Sequence, residues 1–146
     1  MKRPNTEFEP NLNTAEDHLC KEERNKISYG NITGDLQEDF RDSERADVKW
    51  ETEQLAKSHG IYLEFDRAKK GRGKDWRYMI RLSIPGGGPL TGEQWGVIDD
   101  LAEDYCKDPY LPPSIRLTTR QNVQFHWVNK EDLVPLVRRA ALRCAF

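Results

Sequence analysis

The chain has 146 residues, 33% of them charged and 36% apolar, and a net charge of −2, a size that suits one ordinary domain with a real core and argues against a second. No apolar run approaches the roughly 18 residues of a membrane span, and the opening MKRPNTEFEP lacks the apolar centre of a secretory signal, so a cytoplasmic chain with no membrane partner is expected. Cys20, Cys106 and Cys144 form neither an even set nor a CxxC pair, and His18, His59 and His126 are scattered, which argues against a disulfide framework and assembles no metal site from spacing.

Residues 1–45 are polar, hold Pro4, Pro10 and several Asn, and are expected to form an irregular extension ahead of a folded unit over 46–146. The string DVKWETEQLAKS predicts a short helix in which Val48, Glu51 and Leu55, with Trp50 and Gln54, fall on helical spacings, Asp47 caps the start, and His59-Gly60 ends it. IYLEFD then alternates Ile61, Leu63 and Phe65 against Tyr62, Glu64 and Asp66. After the basic connection RAKKGRGKD comes WRYMIRLSI, whose period of two sets Tyr78, Ile80, Leu82 and Ile84 against Arg77, Met79, Arg81 and Ser83.

PGGGP breaks that strand, and Thr91 with Gln94 three places on is a capping-box signature for a helix carrying Trp95, Ile98, Leu101, Ala102 and Tyr105 inward. Past DPYLPP, Ile115 and Leu117, then Val123, Phe125 and Trp127, mark two more strands. Asp132 is the expected cap of a last helix with Pro135 in its first turn and Leu136, Val137, Ala140 and Ala141 facing the sheet. The order β-α-β-β-α after one extra strand predicts an α+β, ferredoxin-like sandwich: a mainly antiparallel sheet with helices on one face.

Charge is segregated along this order. Residues 62–81 hold seven Lys/Arg against three Asp/Glu, and residues 111–146 six against two, whereas residues 1–61 and 82–110 are each at −5. Positive charge therefore travels with the strands, which suits an anionic ligand. If the helices cover the apolar face, the alternation brings Arg81, Arg116, Thr118, Gln124 and His126 together on the other, within reach of one ligand because strands lie about 5 Å apart. Guanidinium groups keep their charge and fork onto carboxylates or oxyanions, and Thr, Gln and His add donors. An ordinary solvated sheet face gives the same pattern. PGGGP reads either as a nest of N–H groups for an anion or as a plain strand-to-helix turn. RAKKGRGKDWRYMIR, with Lys69, Lys70 and Arg72, reads either as a solvated hairpin tip or as a track for an RNA backbone.

YMIRLSIPGGGPLTGEQW followed by SIRLTTRQNVQFHWV and KEDL, with SHGIYLEF upstream, resembles the first ferredoxin-like half-domain of the siroheme-dependent sulfite and nitrite reductases over roughly residues 46–142. The resemblance implies an oxidoreductase with siroheme and a 4Fe–4S cluster. It makes Arg81 the catalytic residue that reaches the substrate, and Arg116, Thr118, Thr119, Arg120, Gln124 and His126 the siroheme-binding set. The four cysteines that hold the family's cluster are absent here, so the chain is expected to be an N-terminal portion, inactive alone. Its implied partners are sulfite or nitrite, the remaining catalytic portion, and an electron donor such as ferredoxin or a flavoprotein; nucleic acid is not among them. The alternative is a non-catalytic ferredoxin-like binding module, for RNA, that uses the basic hairpin.

Overall fold

A computed structural model describes residues 18–67, 69 and 73–143. The order is α1 (Lys21–Tyr29), α2 (Leu36–Arg41), α3 (Trp50–Ser58), β1 (Ile61–Phe65), β2 (Trp76–Leu82), α4 (Gly92–Tyr105), β3 (Ile115–Leu117), β4 (Val123–Val128) and α5 (Leu133–Arg143). The four strands form one antiparallel sheet in the order β1-β2-β4-β3. Strands β2 and β3 both run against β4, which lies between them, so β2-α4-β3 is a split βαβ unit, and β1 widens the sheet at the far edge. This is the expected α+β ferredoxin-like architecture.

The core lies on one side of the sheet. Ile61, Tyr78, Ile80, Val123, Phe125 and Val128 face Val97, Ile98, Leu101 and Ala102 of α4 and Leu133, Leu136 and Ala140 of α5, with Leu55 and Ala56 of α3 completing the layer. Each such Val, Leu, Ile or Phe side chain contributes on the order of 1.5–3 kcal/mol by leaving water. The capping box forms as expected: Gln94 N–H donates to Thr91 Oγ1 at 3.2 Å and Thr91 N–H to Gln94 Oε1 at 2.9 Å.

Several expected placements differ. The described part of the N-terminal stretch is not irregular: α1 and α2 pack on α3, and Leu19 and Leu36 are buried. Two cross-layer anchors stabilise this arrangement. Buried Lys130 donates from Nζ to the carbonyls of Asp42, Arg45 and Asp47 at 2.9, 2.7 and 2.9 Å, and the Tyr78 hydroxyl donates to Ala46 O. Helix α3 is capped at Lys49 rather than Asp47, and it buries Thr52, Leu55 and Ala56. Asp132 does precede α5, but its carboxylate accepts from Asn129 and a single 3-10 turn, Lys130–Asp132, leads in. Trp95, Val137 and Ala141 face outward, because α4 and α5 each offer a narrower stripe to the sheet than their apolar content allows.

The largest departure is on β4. Tyr78 pairs with Val128 and Ile80 with Phe125, so two residues, His126 and Trp127, stand against the single Met79. This is a β-bulge, with Trp127 at φ 59°. It moves Val128, not Trp127, into the core.

Candidate functional site

No helix covers the second face of the sheet among the described residues, and the register fixes what stands there. Arg81 of β2 is opposite Gln124 of β4, and Gln124 is opposite Arg116 of β3. Cross-strand partners point to the same side. The three side chains therefore form one row across three strands. Arg81 is further held by a backbone junction: its N–H donates to Gly60 O at 2.8 Å, and a Cβ on Gly60, at φ 76°, would sit 2.9 Å from the Arg81 carbonyl. Only glycine lets the turn between α3 and β1 close this tightly. The Arg81 guanidinium lies 5.1 Å from the centre of the Tyr62 ring, which supports the cation without neutralising it.

Next to this row the bulge brings His126 over Met79 towards β1. His126 Nδ1 lies 3.3 Å from Glu64 Oε2; because an ionised carboxylate only accepts, the proton of the pair sits on Nδ1. The hydrogen bond from His126, followed by the charges of His126, Arg116 and Arg67, holds the Glu64 carboxyl below its ordinary range in spite of partial burial. Glu64, His126, Arg77, Arg116, Tyr62, Met79 and Trp127 line a cavity of about 660 Å³ with further residues of β1. It combines an aromatic and thioether lining with a cationic rim.

Three polar atoms of this face, Arg77 Nε, Arg81 Nε and His126 Nε2, are buried without a hydrogen-bond partner among the described residues. A buried donor left unpaired costs about 1–3 kcal/mol. Arg77 Nε and Arg81 Nε are such donors, whereas His126 Nε2, with the ring proton on Nδ1, is an unpaired acceptor.

The rest of the expected set lies at the tip of the β3–β4 hairpin. The Thr118 hydroxyl oxygen accepts from Arg120 N–H at 3.3 Å and Asn122 N–H at 3.1 Å, so it shapes the turn, and Thr119 and Arg120 are exposed. The sequence reading gave no role to Gln121 and Asn122, and both have one in the fold. Gln121, at φ 58°, sets its amide against Gly87, where a Cβ would meet Oε1 at 1.8 Å. Asn122 Oδ1 accepts from Ile84 N–H at 3.0 Å. Gly87 thus leaves room for the Gln121 side chain of the hairpin tip. A turn-forming Gln-Asn pair after the Thr-Thr-Arg run is the signal that would have found them.

Lys69 pairs with Asp75 at 2.6 Å, and Asp75 also holds Arg77 at 2.9 Å; Lys70 and Arg72 lie outside the described residues. Cys20 is exposed at the start of α1, Cys106 is buried with its thiol pushed up to about 11 by burial, and Cys144 lies outside the described residues. No group of three His, Cys, Asp or Glu among the described residues is placed to hold a metal ion, and no described helix is long and apolar enough to cross a membrane.

A split βαβ sheet with helices on one face and a row of guanidinium and amide donors on the other defines a ferredoxin-like domain. The chain matches the nitrite/sulfite reductase ferredoxin-like half domain over residues 70–142, and it belongs to that family. Among its relatives are proteins described as the sulfite reductase (NADPH) hemoprotein beta-component. That of Methylobacterium radiotolerans is 36% identical over 79% of this chain and 19% of its own length, and that of Bordetella petrii 33% over 84% and 21%. That of Chromohalobacter salexigens is 34% identical over 80% and 20%. The chain spans about a fifth of the length of the curated relatives it matches.

Proposed function

We propose that this chain is the N-terminal portion of a siroheme-dependent reductase of sulfite or nitrite, and that the outer face of its sheet receives the carboxylates of siroheme and the oxyanion substrate. Sulfite is favoured, since the relatives carry that substrate in their names. The observation that carries the reading is the row Arg81–Gln124–Arg116 beside the buried, unpaired donors Arg77 Nε and Arg81 Nε. Donors of this kind suit a ligand rich in carboxylates, and the Tyr62, Met79 and Trp127 walls suit the flat body of a macrocycle.

Siroheme, when bound, supplies the iron centre through which electrons reach the oxyanion. Arg81 binds and orients the substrate, since its charge is permanent and its Nε has no partner among the described residues. Aimed at an oxygen that gains negative charge as electrons arrive, it would stabilise that charge. Arg116, Gln124 and His126 take carboxylates on the adjoining strands. Arg120 and Thr119 extend that grip from the hairpin tip, and Thr118, whose oxygen already accepts two N–H groups, has only its O–H to offer. A 4Fe–4S cluster does not fit the described residues, which hold one exposed and one buried cysteine, so its ligands and the contact with an electron donor, a ferredoxin or flavoprotein, fall to the remaining portion.

The test is co-expression of this chain with the complementary portion of the Methylobacterium radiotolerans relative, with siroheme content read from the absorbance of the purified complex. Arg116→Ala and Arg120→Ala should each lower siroheme occupancy severalfold while the two portions still co-purify. Unchanged occupancy in both variants would refute the assignment.

A further inference from the structure

The cationic face carries a carboxylate of its own. Glu64 stands directly opposite Arg77 in the β1–β2 register, yet Arg77 is taken by Asp75, and Glu64 reaches two strands over, past Met79, to His126. Its side chain is 44% exposed, against 14% for His126, so it sits at the rim of the cavity and can leave. Asp66, the other acidic residue lining this cavity, is buried and accepts from the Tyr110 hydroxyl. Arg116 and Arg67 add their attraction to the Glu64 carboxylate.

We propose that Glu64 is a built-in counter-ion of this face: in the ligand-free chain its carboxylate holds the place beside His126 and Arg116 that a ligand carboxylate takes on binding. The inference rests on the reading of the face as an anion site and adds a residue that sets its affinity. A fixed negative charge in the site repels every incoming anion, and its hydrogen bond with His126 must break before the imidazole can serve the ligand. The gain from the Glu64–His126 pair itself is small because one partner is solvated, so the balance tips once a ligand presents several carboxylates at once. Singly charged anions of the cell are held off by the same residue.

The experiment uses the 146-residue chain and uroporphyrin, a metal-free tetrapyrrole with eight carboxylates, titrated by fluorescence. Glu64→Gln should bind it about three- to tenfold more tightly than the unaltered chain, the range expected for removing one partly screened like charge from an anion site. Glu64→Ala, which removes the charge without leaving an amide, should move the affinity the same way. In an Arg116→Ala background the gain should shrink, because the two charges act on one ligand group. If Arg116→Ala weakens uroporphyrin binding while both Glu64 variants bind with unchanged or lower affinity, Glu64 only positions His126 and the counter-ion role is wrong, though the anion face stands. If binding is absent, or indifferent to Arg116, the anion face itself fails and the role of Glu64 with it.

Discussion

Arg81 and Gln124 are cross-strand partners, so the residue of β2 proposed to meet a small anion is backed by a neutral amide rather than a carboxylate. Gln124 has Arg116 on its other side. A carboxylate in its place would be flanked by two guanidinium groups and would satisfy both. Opposite charges at such positions stabilise a sheet by roughly 0.2–1 kcal/mol per pair. Gln124→Glu should therefore raise the midpoint of urea unfolding slightly and, in the same protein, lower uroporphyrin affinity about tenfold. A variant that gains stability and keeps full affinity would show that the row does not face the ligand.

The turn before β1 sets the position of Arg81 through backbone contact alone. Gly60→Ala combines a left-handed backbone with a Cβ 2.9 Å from a carbonyl oxygen that cannot swing aside. A cost of about 1–3 kcal/mol is expected, seen as a lowered urea midpoint, together with weaker anion binding. Loss of stability with unchanged binding would uncouple this turn from the site.

Much of this geometry was legible in the sequence, and the exceptions have definite causes. The alternation of WRYMIRL and the paired Thr91 and Gln94 state their structures locally, and both formed as read. So did the grouping of Arg81, Arg116 and Gln124, since a period of two leaves no other choice once the helices take the apolar face. Trp127 was misplaced because a bulge adds one residue to a strand without changing its composition. The helices of the N-terminal stretch were missed because they pack on α3 and the segment after them is anchored by Lys130, whose three acceptors lie more than eighty residues away. Glu64 was read as one polar position on an alternating strand, and only the bulge that brings His126 over Met79 gives it a partner.

Lys130 makes the next expectation quantitative. Lys130→Met keeps most of the apolar stem and removes all three donors, leaving the carbonyls of Asp42, Arg45 and Asp47 without them. A loss of about 2–4 kcal/mol follows from hydrogen bonds to a buried charge. Urea unfolding should show it, and amide exchange should quicken first over residues 42–47. An unchanged midpoint would mean that the loop is held by other contacts.

Asp39 gives the fold a dependence on acid. Burial raises its carboxyl, but the hydrogen bonds from Thr52 and Lys49 outweigh that and hold it below its ordinary value of 3.8. The native state thus binds fewer protons than the unfolded chain near this value. The contribution is complete above the unfolded value and is lost as the pH falls through the lower native one. Asp39→Asn should cost about 1–2 kcal/mol at pH 7, and the gap to the unaltered protein should close below about pH 4. A gap that persists in acid would assign the loss to packing.

The proposal of an anion-facing sheet is tested most directly by the side-chain N–H resonances of the arginines while uroporphyrin is added to the isotopically labelled chain. The account predicts that the Nε–H signals of Arg81 and Arg77 and the ring signals of His126 shift first and saturate together, while residues of α4 and α5 stay in place. Shifts confined to the hairpin around Lys69 and Lys74, or to the helical side, with Arg81 unmoved, would contradict it.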